Sequence, residues 1–163
     1  MPVPMFFRET KHVSLKQSPS TVALEAARAA TRLARQVAVA LGDLELSPSQ
    51  YRLLLFLSEG NAAASAVAGR LAVSRPSVTA LADGLEKRGL LQRKPDPADR
   101  RKVAHELTEA GRKALAAADA AVAERISGIA AHLDEHQTDE AVDGLALWNE
   151  ALNRHRAALE TRQ

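Results

Sequence analysis

A short basic hairpin between two helical segments is the feature that most constrains the fold of this 163-residue chain. Residues 90–108 read LLQRKPDPADRRKVAHELT, with apolar residues at both ends and a centre of arginines, lysines, prolines and aspartates. Proline and aspartate favour a turn, and apolar flanks are typical of two paired strands. The segment therefore predicts a two-stranded hairpin with a positively charged tip.

Helical patterns precede the hairpin. Small and apolar residues at 3–4 spacing predict a helix from Ser20 to about Leu44. The string SPSQ predicts the start of a second, buried helix, with Ser47 as its N-cap and Gln50 completing a capping box. A short third helix is expected over about residues 63–71.

A fourth helix is expected directly before the hairpin, with Ser74 as its N-cap and Gly89 at its end. The spacing of Val78, Leu81, Ala82 and Leu85 places them on one buried face. The opposite face then carries Pro76, Thr79, Ala80, Asp83 and Lys87. Among the charged residues of the helix, Asp83, Glu86 and Arg88 are interpreted as ordinary surface charges.

Two long helices are expected after the hairpin. Thr108 predicts the N-cap of a helix that runs to about Leu133, and Thr138 predicts the N-cap of a last helix that continues to the C terminus.

His105, in the returning strand, is expected to be exposed.

Composition excludes several classes of protein. The chain has no cysteine, which excludes disulfides and thiol chemistry. It lacks a run of about eighteen apolar residues and a signal-peptide pattern, so a cytoplasmic protein is expected. The formal net charge is only +2, so an anionic partner would meet a local basic patch. No set of nucleophile, base and orienting group occurs, so neither an enzyme nor a cofactor is expected.

A helix, a tight turn, a second helix and a basic hairpin form the winged helix-turn-helix pattern. A helix fits the major groove of DNA, and arginine is attracted to a narrow minor groove. The pattern therefore indicates binding to double-stranded DNA. The alternative for the hairpin is a solvated turn that charge keeps soluble.

Residues 44–111 resemble the MarR family of bacterial transcriptional regulators. The resemblance rests on LAVSRPSVTALADGLEKRGLLQRKPDPADRRKVAHELTEAG, in which SRPSVT, LEKRGLL, DPADRR and LTEAG have the family order and spacing. One departure is that Ala80 and Gly84 stand where members often carry arginines on the groove face. Fewer cations there predict a smaller electrostatic contribution to binding from this helix.

The resemblance implies a mainly α fold with a small β-hairpin wing, in which a winged helix-turn-helix is joined to a helical dimerisation region. It implies a dimerisation helix (19–44), a DNA-binding domain (45–108) and C-terminal dimerisation helices (109–163), and the residues before them are interpreted from their own sequence as a flexible arm (1–18). The implied function is sequence-specific transcriptional repression by a homodimer on a palindromic operator, relieved by a small aromatic effector. The alternative is a winged-helix module that binds another protein and no operator.

The family motif also assigns roles to the wing. It implies that Asp99 braces Arg101 for entry into the minor groove, with Arg100 between them. An aspartate fixes a guanidinium through charge-assisted hydrogen bonds. The full set of predicted DNA contacts is Ser74, Arg75, Pro76, Ser77, Thr79, Ala80, Lys87, Arg93, Lys94, Asp99, Arg100, Arg101 and Lys102.

The first and last helices have apolar seams that require a partner, either within one chain as a monomeric bundle or between two chains. The predicted dimer contacts are Leu33, Val37, Leu145, Trp148, Leu152, His155 and Leu159. Leu33, Val37, Tyr51, Phe56 and Trp148 are equally compatible with an effector pocket and with core packing.

His132 and His136 raise the question of a metal site, because their spacing suits one helical face. Two ligands without an evident third are weak support, and a polar loop between helices is the preferred interpretation.

Overall fold

The computed structural model describes residues 21–60, 75–95 and 103–160. These residues form helices and one antiparallel hairpin, which confirms the expected mainly α fold with a small β-hairpin. In chain order the elements are α1 (Thr21–Gly42), α2 (Pro48–Ser58), α3 (Arg75–Lys87), β1 (Leu91–Pro95), β2 (Val103–Leu107), α4 (Glu109–Ala130) and α5 (Glu135–Glu160). The short helix expected near residues 63–71 and the N-terminal arm lie outside the described residues.

The start of α2 has the capping box that the sequence predicts. The Gln50 backbone N–H donates to the Ser47 hydroxyl at 3.2 Å, and the Ser47 N–H donates to the Gln50 side-chain oxygen at 2.9 Å. These bonds satisfy donors that no helical carbonyl reaches. The helix is buried as predicted, through Leu53, Leu54, Phe56 and Leu57.

One hydrophobic core joins the first four helices and the hairpin. α1 packs mainly against α4, while α2 packs against α3, α4 and β2. Leu41, Leu53, Leu54 and Leu85 are almost completely buried. Burying each of these side chains contributes about 1.5–3 kcal/mol. The core therefore holds α3 and the hairpin on one rigid base.

The chain leaves α3 through a sharp reversal at Gly89. Its φ is +71°, a left-handed conformation that favours glycine. The Leu90 N–H donates to the Leu85 carbonyl at 2.9 Å, and the Gly89 N–H donates to the Glu86 carbonyl at 2.8 Å. This pair of bonds is a Schellman motif, so the prediction that Gly89 ends the helix is confirmed.

Thr108 joins the hairpin to α4. Its side chain caps the helix as predicted, accepting a hydrogen bond from the Gly111 N–H at 3.0 Å. The same hydroxyl donates to the Gly89 carbonyl oxygen at 2.7 Å. The start and the end of the hairpin are therefore held together beside the first turn of α4.

The last helix begins one turn earlier than predicted, and Asp134 rather than Thr138 is its cap. The Gln137 N–H donates to the Asp134 carboxylate at 2.8 Å, and the Asp134 N–H donates to the Gln137 side-chain oxygen at 3.1 Å. Thr138 lies inside the first turn, where its hydroxyl donates to the Asp134 carbonyl at 2.9 Å. The prediction was wrong because an aspartate and a glutamine form the same reciprocal cap as a serine and a glutamine.

Candidate nucleic-acid interface

One face of α3 is buried and the other is exposed, as its apolar spacing predicts. Val78, Ala82 and Leu85 lie in the core, and Leu81 packs against it. Exposed side chains on the helix include Pro76, Ser77, Thr79, Ala80 and Lys87. Polar and methyl-bearing side chains in the first turns of such a helix can reach base edges in a major groove.

Gly84 is less exposed than Ala80. It is half-buried, and a Cβ at this position would meet the Gln50 side-chain nitrogen of α2 at 3.6 Å. The expectation that Gly84 faces the groove stays a prediction. Of the two positions where family members often carry arginine, only Ala80 is exposed.

β1 is joined to α3 by an arginine that contacts two carboxylates. Arg93 Nη2 contacts Asp83 Oδ1, and Arg93 Nε lies 3.2 Å from Glu86 Oε2. The interpretation of Asp83 and Glu86 as simple surface charges was therefore wrong, because both have a cationic partner seven or more positions away in sequence. The contacts place the hairpin beside the exposed face of α3, so the two elements form one surface.

Arg88 also has a structural role that its position on the helix surface did not indicate. Its Nη1 donates to the Glu45 carbonyl at 2.6 Å, and its Nη2 donates to the Leu44 carbonyl at 3.3 Å. Glu45 has a φ of +55°, which is uncommon for a residue with a side chain. Arg88 thus satisfies two carbonyls of the turn between α1 and α2.

Lys94 has an acidic partner across the hairpin. Its Nζ lies 2.6 Å from Glu106 Oε2, and this hydrogen bond lowers the pKa of the Glu106 carboxyl. Both side chains are about half exposed. An ion pair in such a position contributes little to stability, so an anionic ligand can replace the carboxylate at small cost.

His105 is buried, contrary to the expectation of exposure. It is only 9% exposed and stands opposite Arg93 in the register of the hairpin. Burial lowers the pKa of His105 below its usual 6.5, and the charge of Arg93 lowers it further, whereas Glu86 and Asp83 act in the opposite direction. The neutral imidazole is therefore favoured in the folded chain.

Acidification is expected to destabilise the fold through His105. Because the pKa in the folded chain lies below the unfolded value of about 6.5, the unfolded state takes up the proton first. The contribution of His105 to the free energy of unfolding should be fully present above about pH 7 and should decrease as the pH falls through 6.5. Chemical denaturation at fixed chain concentration should show a larger loss between pH 7.5 and pH 5.5 for the wild type than for His105→Leu. Equal losses in the two proteins would contradict this assignment.

The predicted contacts at the tip of the hairpin lie outside the described residues, and so does Ser74. Their assignment to DNA stays a prediction. These residues are Asp99, Arg100, Arg101 and Lys102.

α5 has an apolar side that no other described element covers extensively. Leu145, Trp148, Leu152 and Leu159 are 50–62% exposed, and their spacing places them on one side of the helix. His155 is also exposed. The predicted contacts on α1, Leu33 and Val37, are half-buried within the chain.

α1 and α4 border a groove with a volume of about 660 Å³. On one wall, Arg125 of α4 donates to the Gln36 side-chain oxygen at 2.6 and 2.9 Å. The groove is lined by Val39, Ala40, Asp43, Leu44, Ala121, Glu124, Arg125, Gly128 and Ile129. Its volume is in the range of small-molecule sites.

Phe56 and Tyr51, two of the large side chains that were compatible with an effector pocket, make contacts within the fold instead. Phe56 belongs to the core and is only 4% exposed. Tyr51 donates to Asp119 Oδ1 at 2.6 Å, and burial together with this hydrogen bond raises the pKa of Tyr51 to about 12. The hydroxyl thereby links α2 to α4.

His132 lies in the turn before α5, while His136 lies within the helix, 3.6 Å from Glu140 Oε1. Among the described residues, no three side chains of the metal-ligating types stand together. In the same parts of the chain, no helix combines the length and the apolar character that crossing a membrane requires.

Comparison with known proteins identifies the family. A sequence profile of the MarR family matches residues 44–102. The transcriptional repressor CouR, solved with a 23-mer DNA duplex, is 30% identical, with 84% of this chain and 99% of that chain covered and a TM-score of 0.66. The chain belongs to the MarR family. It is therefore a transcriptional regulator with a winged helix-turn-helix fold.

Two other solved structures are similar to this MarR-family chain. CouR from Rhodococcus jostii RHA1, bound to p-coumaroyl-CoA, is 25% identical, with 77% of this chain and 90% of that chain covered and a TM-score of 0.63. A probable transcriptional regulator from Pseudomonas aeruginosa is 29% identical, with coverages of 78% and 96% and a TM-score of 0.62. A search of curated protein sequences gave no significant match.

Proposed function

We propose that this MarR-family regulator is a homodimeric repressor that binds a palindromic operator through two winged lobes. The observation that carries the proposal is the position of the basic hairpin beside the exposed face of α3. This position is evident from the contact of Arg93 in β1 with Asp83 in α3. One surface can then present α3 to a major groove and cations to the adjacent phosphates.

Within this surface, Thr79 and Ala80 are proposed to meet base edges, including thymine methyl groups. Lys87, Arg93 and Lys94 are proposed to contact phosphates, which position the protein without specifying sequence. The helix N-terminus suits a further phosphate, for which Ser74, Arg75, Pro76 and Ser77 are proposed as neighbours.

The homodimer is proposed from the uncovered apolar side of α5. A second copy that covers Leu145, Trp148, Leu152 and Leu159 would remove this surface from water, and two-fold symmetry would present two lobes to one duplex. Accordingly, residues 19–44 and 109–163 are proposed as the dimerisation region, and residues 45–108 as the DNA-binding domain. The similar repressor CouR was solved with a DNA duplex, which supports the choice of partner.

A small aromatic effector is proposed to release the operator. The support is the groove between α1 and α4, together with the structure of the similar CouR bound to p-coumaroyl-CoA. The groove lies between two helices of the proposed dimerisation region, and one of them, α4, also packs on α2 and β2 of the DNA-binding domain. A ligand there can therefore change how the lobes are held.

Neighbouring arginines of the wing provide the matched test. Operator fragments should first be selected from the source genome, and affinity should be measured by fluorescence anisotropy over a range of salt concentrations. We expect Arg101→Ala to weaken operator binding roughly ten-fold or more, because an arginine in the minor groove contributes to recognition. Arg100→Ala should weaken it by only a few-fold.

Equal losses in the two variants would contradict the assignment of Arg101. Wild-type binding that is absent, or that does not decrease with salt, would instead favour the module that binds another protein.

A further inference from the structure

We propose that Asp83 and Glu86 compete with DNA phosphate for Arg93, and so limit the affinity of this regulator for any duplex. The inference rests on the proposed function, since it concerns the same surface. It assigns a role to two acidic residues that the sequence patterns did not connect with DNA.

The geometry of the three side chains supports competition. Asp83 and Glu86 lie about one turn apart on α3, and the guanidinium of Arg93 contacts both carboxylates. These are the same planar, charge-assisted contacts that an arginine makes with phosphate oxygens. Arg93 therefore cannot bind a phosphate with the same N–H groups until a carboxylate is released.

The exposure of the cluster makes this exchange feasible. The side chains of Arg93, Asp83 and Glu86 are 41%, 44% and 39% exposed. Ion pairs that are open to water contribute little, because water competes for both partners. A phosphate can therefore reach the guanidinium and replace a carboxylate without any change in the core.

The charges of the cluster do not cancel. Two carboxylates surround one guanidinium, so the cluster carries a formal charge of −1 beside the exposed Thr79, Ala80 and Lys87. Lys94, by comparison, has one carboxylate partner among the described residues, Glu106. An approaching duplex therefore meets two carboxylates at Arg93, which offset the charge of Arg93 and of the neighbouring Lys87 and so reduce the electrostatic attraction that dominates non-specific binding.

The contacts are not needed to hold the hairpin in place. Leu90, Leu91 and Leu107 are buried in the core, and the Thr108 N–H donates to the Leu90 carbonyl at 3.1 Å. Buried apolar packing is stronger than exposed ion pairs. The main effect of Asp83 and Glu86 is therefore on the charge available to DNA.

The test compares the wild type with Asp83→Asn/Glu86→Gln, using a mixed-sequence duplex and several salt concentrations. In complexes where a carboxylate still holds Arg93 in the wild type, the freed Arg93 should add a phosphate contact. The slope of log affinity against log salt should therefore steepen by up to about 0.9 per chain. Affinity at low salt should increase, and raising the salt from 50 to 200 mM should reduce the affinity of the double variant by a factor that is up to about three times larger, per bound chain, than for the wild type. An unchanged or shallower slope would overturn the inference.

Two further variants show whether Arg93 is responsible. Adding Arg93→Gln to the double variant should return the slope to about the wild-type value. If the steeper slope persists, the gain comes from lost repulsion alone and the proposed competition is wrong. Glu109→Gln, which removes the ion pair with Arg112 within α4, should leave the slope nearly unchanged.

The outcomes also separate this inference from the proposed function. A wild-type chain that binds no duplex overturns the proposed function, and this inference with it. A wild type that binds with ordinary salt dependence, together with a double variant of equal slope, overturns only the inference. Far-UV circular dichroism should show equal helix content in all variants, because the substituted side chains are exposed.

Discussion

Leu152→Asp should convert the regulator into a monomer with little affinity for its operator. Leu152 is 62% exposed in the single chain and lies at the middle of the apolar side of α5. Burying a leucine contributes about 1.5–3 kcal/mol, and a two-fold interface loses two of them. Burying two unpaired carboxylates adds a further penalty. The dimer dissociation constant should therefore increase about a thousand-fold or more, measurable by sedimentation equilibrium.

Leu147→Asp is the matched control for this prediction. Leu147 is 67% exposed in the same helix, but it lies about 140° around the helix axis from Leu152. Asp143, Glu150 and Arg154 share that side of the helix. We expect Leu147→Asp to remain dimeric and to bind DNA normally. A dimeric Leu152→Asp protein, or equal dissociation of both variants, would show that the interface lies elsewhere.

Gly111→Ala should destabilise the fold more than any other single methyl addition at a described glycine. A Cβ at Gly111 would lie 2.0 Å from the Leu90 carbonyl oxygen and 3.0 Å from its carbon. The obstructing atoms are backbone, and the Leu90 carbonyl also accepts the Thr108 N–H. Relief therefore requires the start of α4 to move away from the hairpin. We expect a loss of about 3 kcal/mol in the free energy of unfolding, measured by chemical denaturation.

Gly128→Ala provides the comparison within the same helix. A Cβ at Gly128 would meet nothing within 4 Å, so alanine should stabilise α4 by about 0.5–1 kcal/mol through helix propensity. Both variants should be measured at one chain concentration, because the stability of the proposed dimer would depend on it. If Gly111→Ala lowers the free energy of unfolding by no more than the size of the change at Gly128→Ala, the hairpin approaches α4 less closely than described.

Local signals predicted much of the fold. The caps at Ser47 and Thr108 and the helix end at Gly89 depend on residues within one turn, so the sequence contains all the information. The error at Thr138 has the same local cause. Asp134 and Thr138 are both good N-cap residues and lie four positions apart. Only Asp134 is followed three residues later by a glutamine, which can complete a reciprocal cap.

Contacts between distant residues could not be predicted. Arg88 binds the carbonyl of Glu45, 43 positions away, and nothing in the helical pattern indicates that turn as its partner. The burial of His105 likewise depends on how the hairpin packs on the core, whereas alternation in a five-residue strand leaves either face available.

The exposed face of α3 was predicted correctly because helical periodicity alone places Thr79 and Ala80 opposite the core. The partners of Arg93 were not predicted, since they require the orientation of the hairpin relative to α3. The sequence predicted a DNA contact for Arg93, and the fold places two carboxylates around it. Sequence thus located the candidate site, and tertiary packing determined the charges that it presents.

The number of chains bound to one operator duplex, measured by native mass spectrometry, tests the central proposal most directly. We expect the complex to exceed the free duplex by twice the chain mass of 17.5 kDa, with no single-chain complex at intermediate concentrations. A stable complex that contains one chain and retains full operator affinity would contradict a repressor that works through two paired lobes.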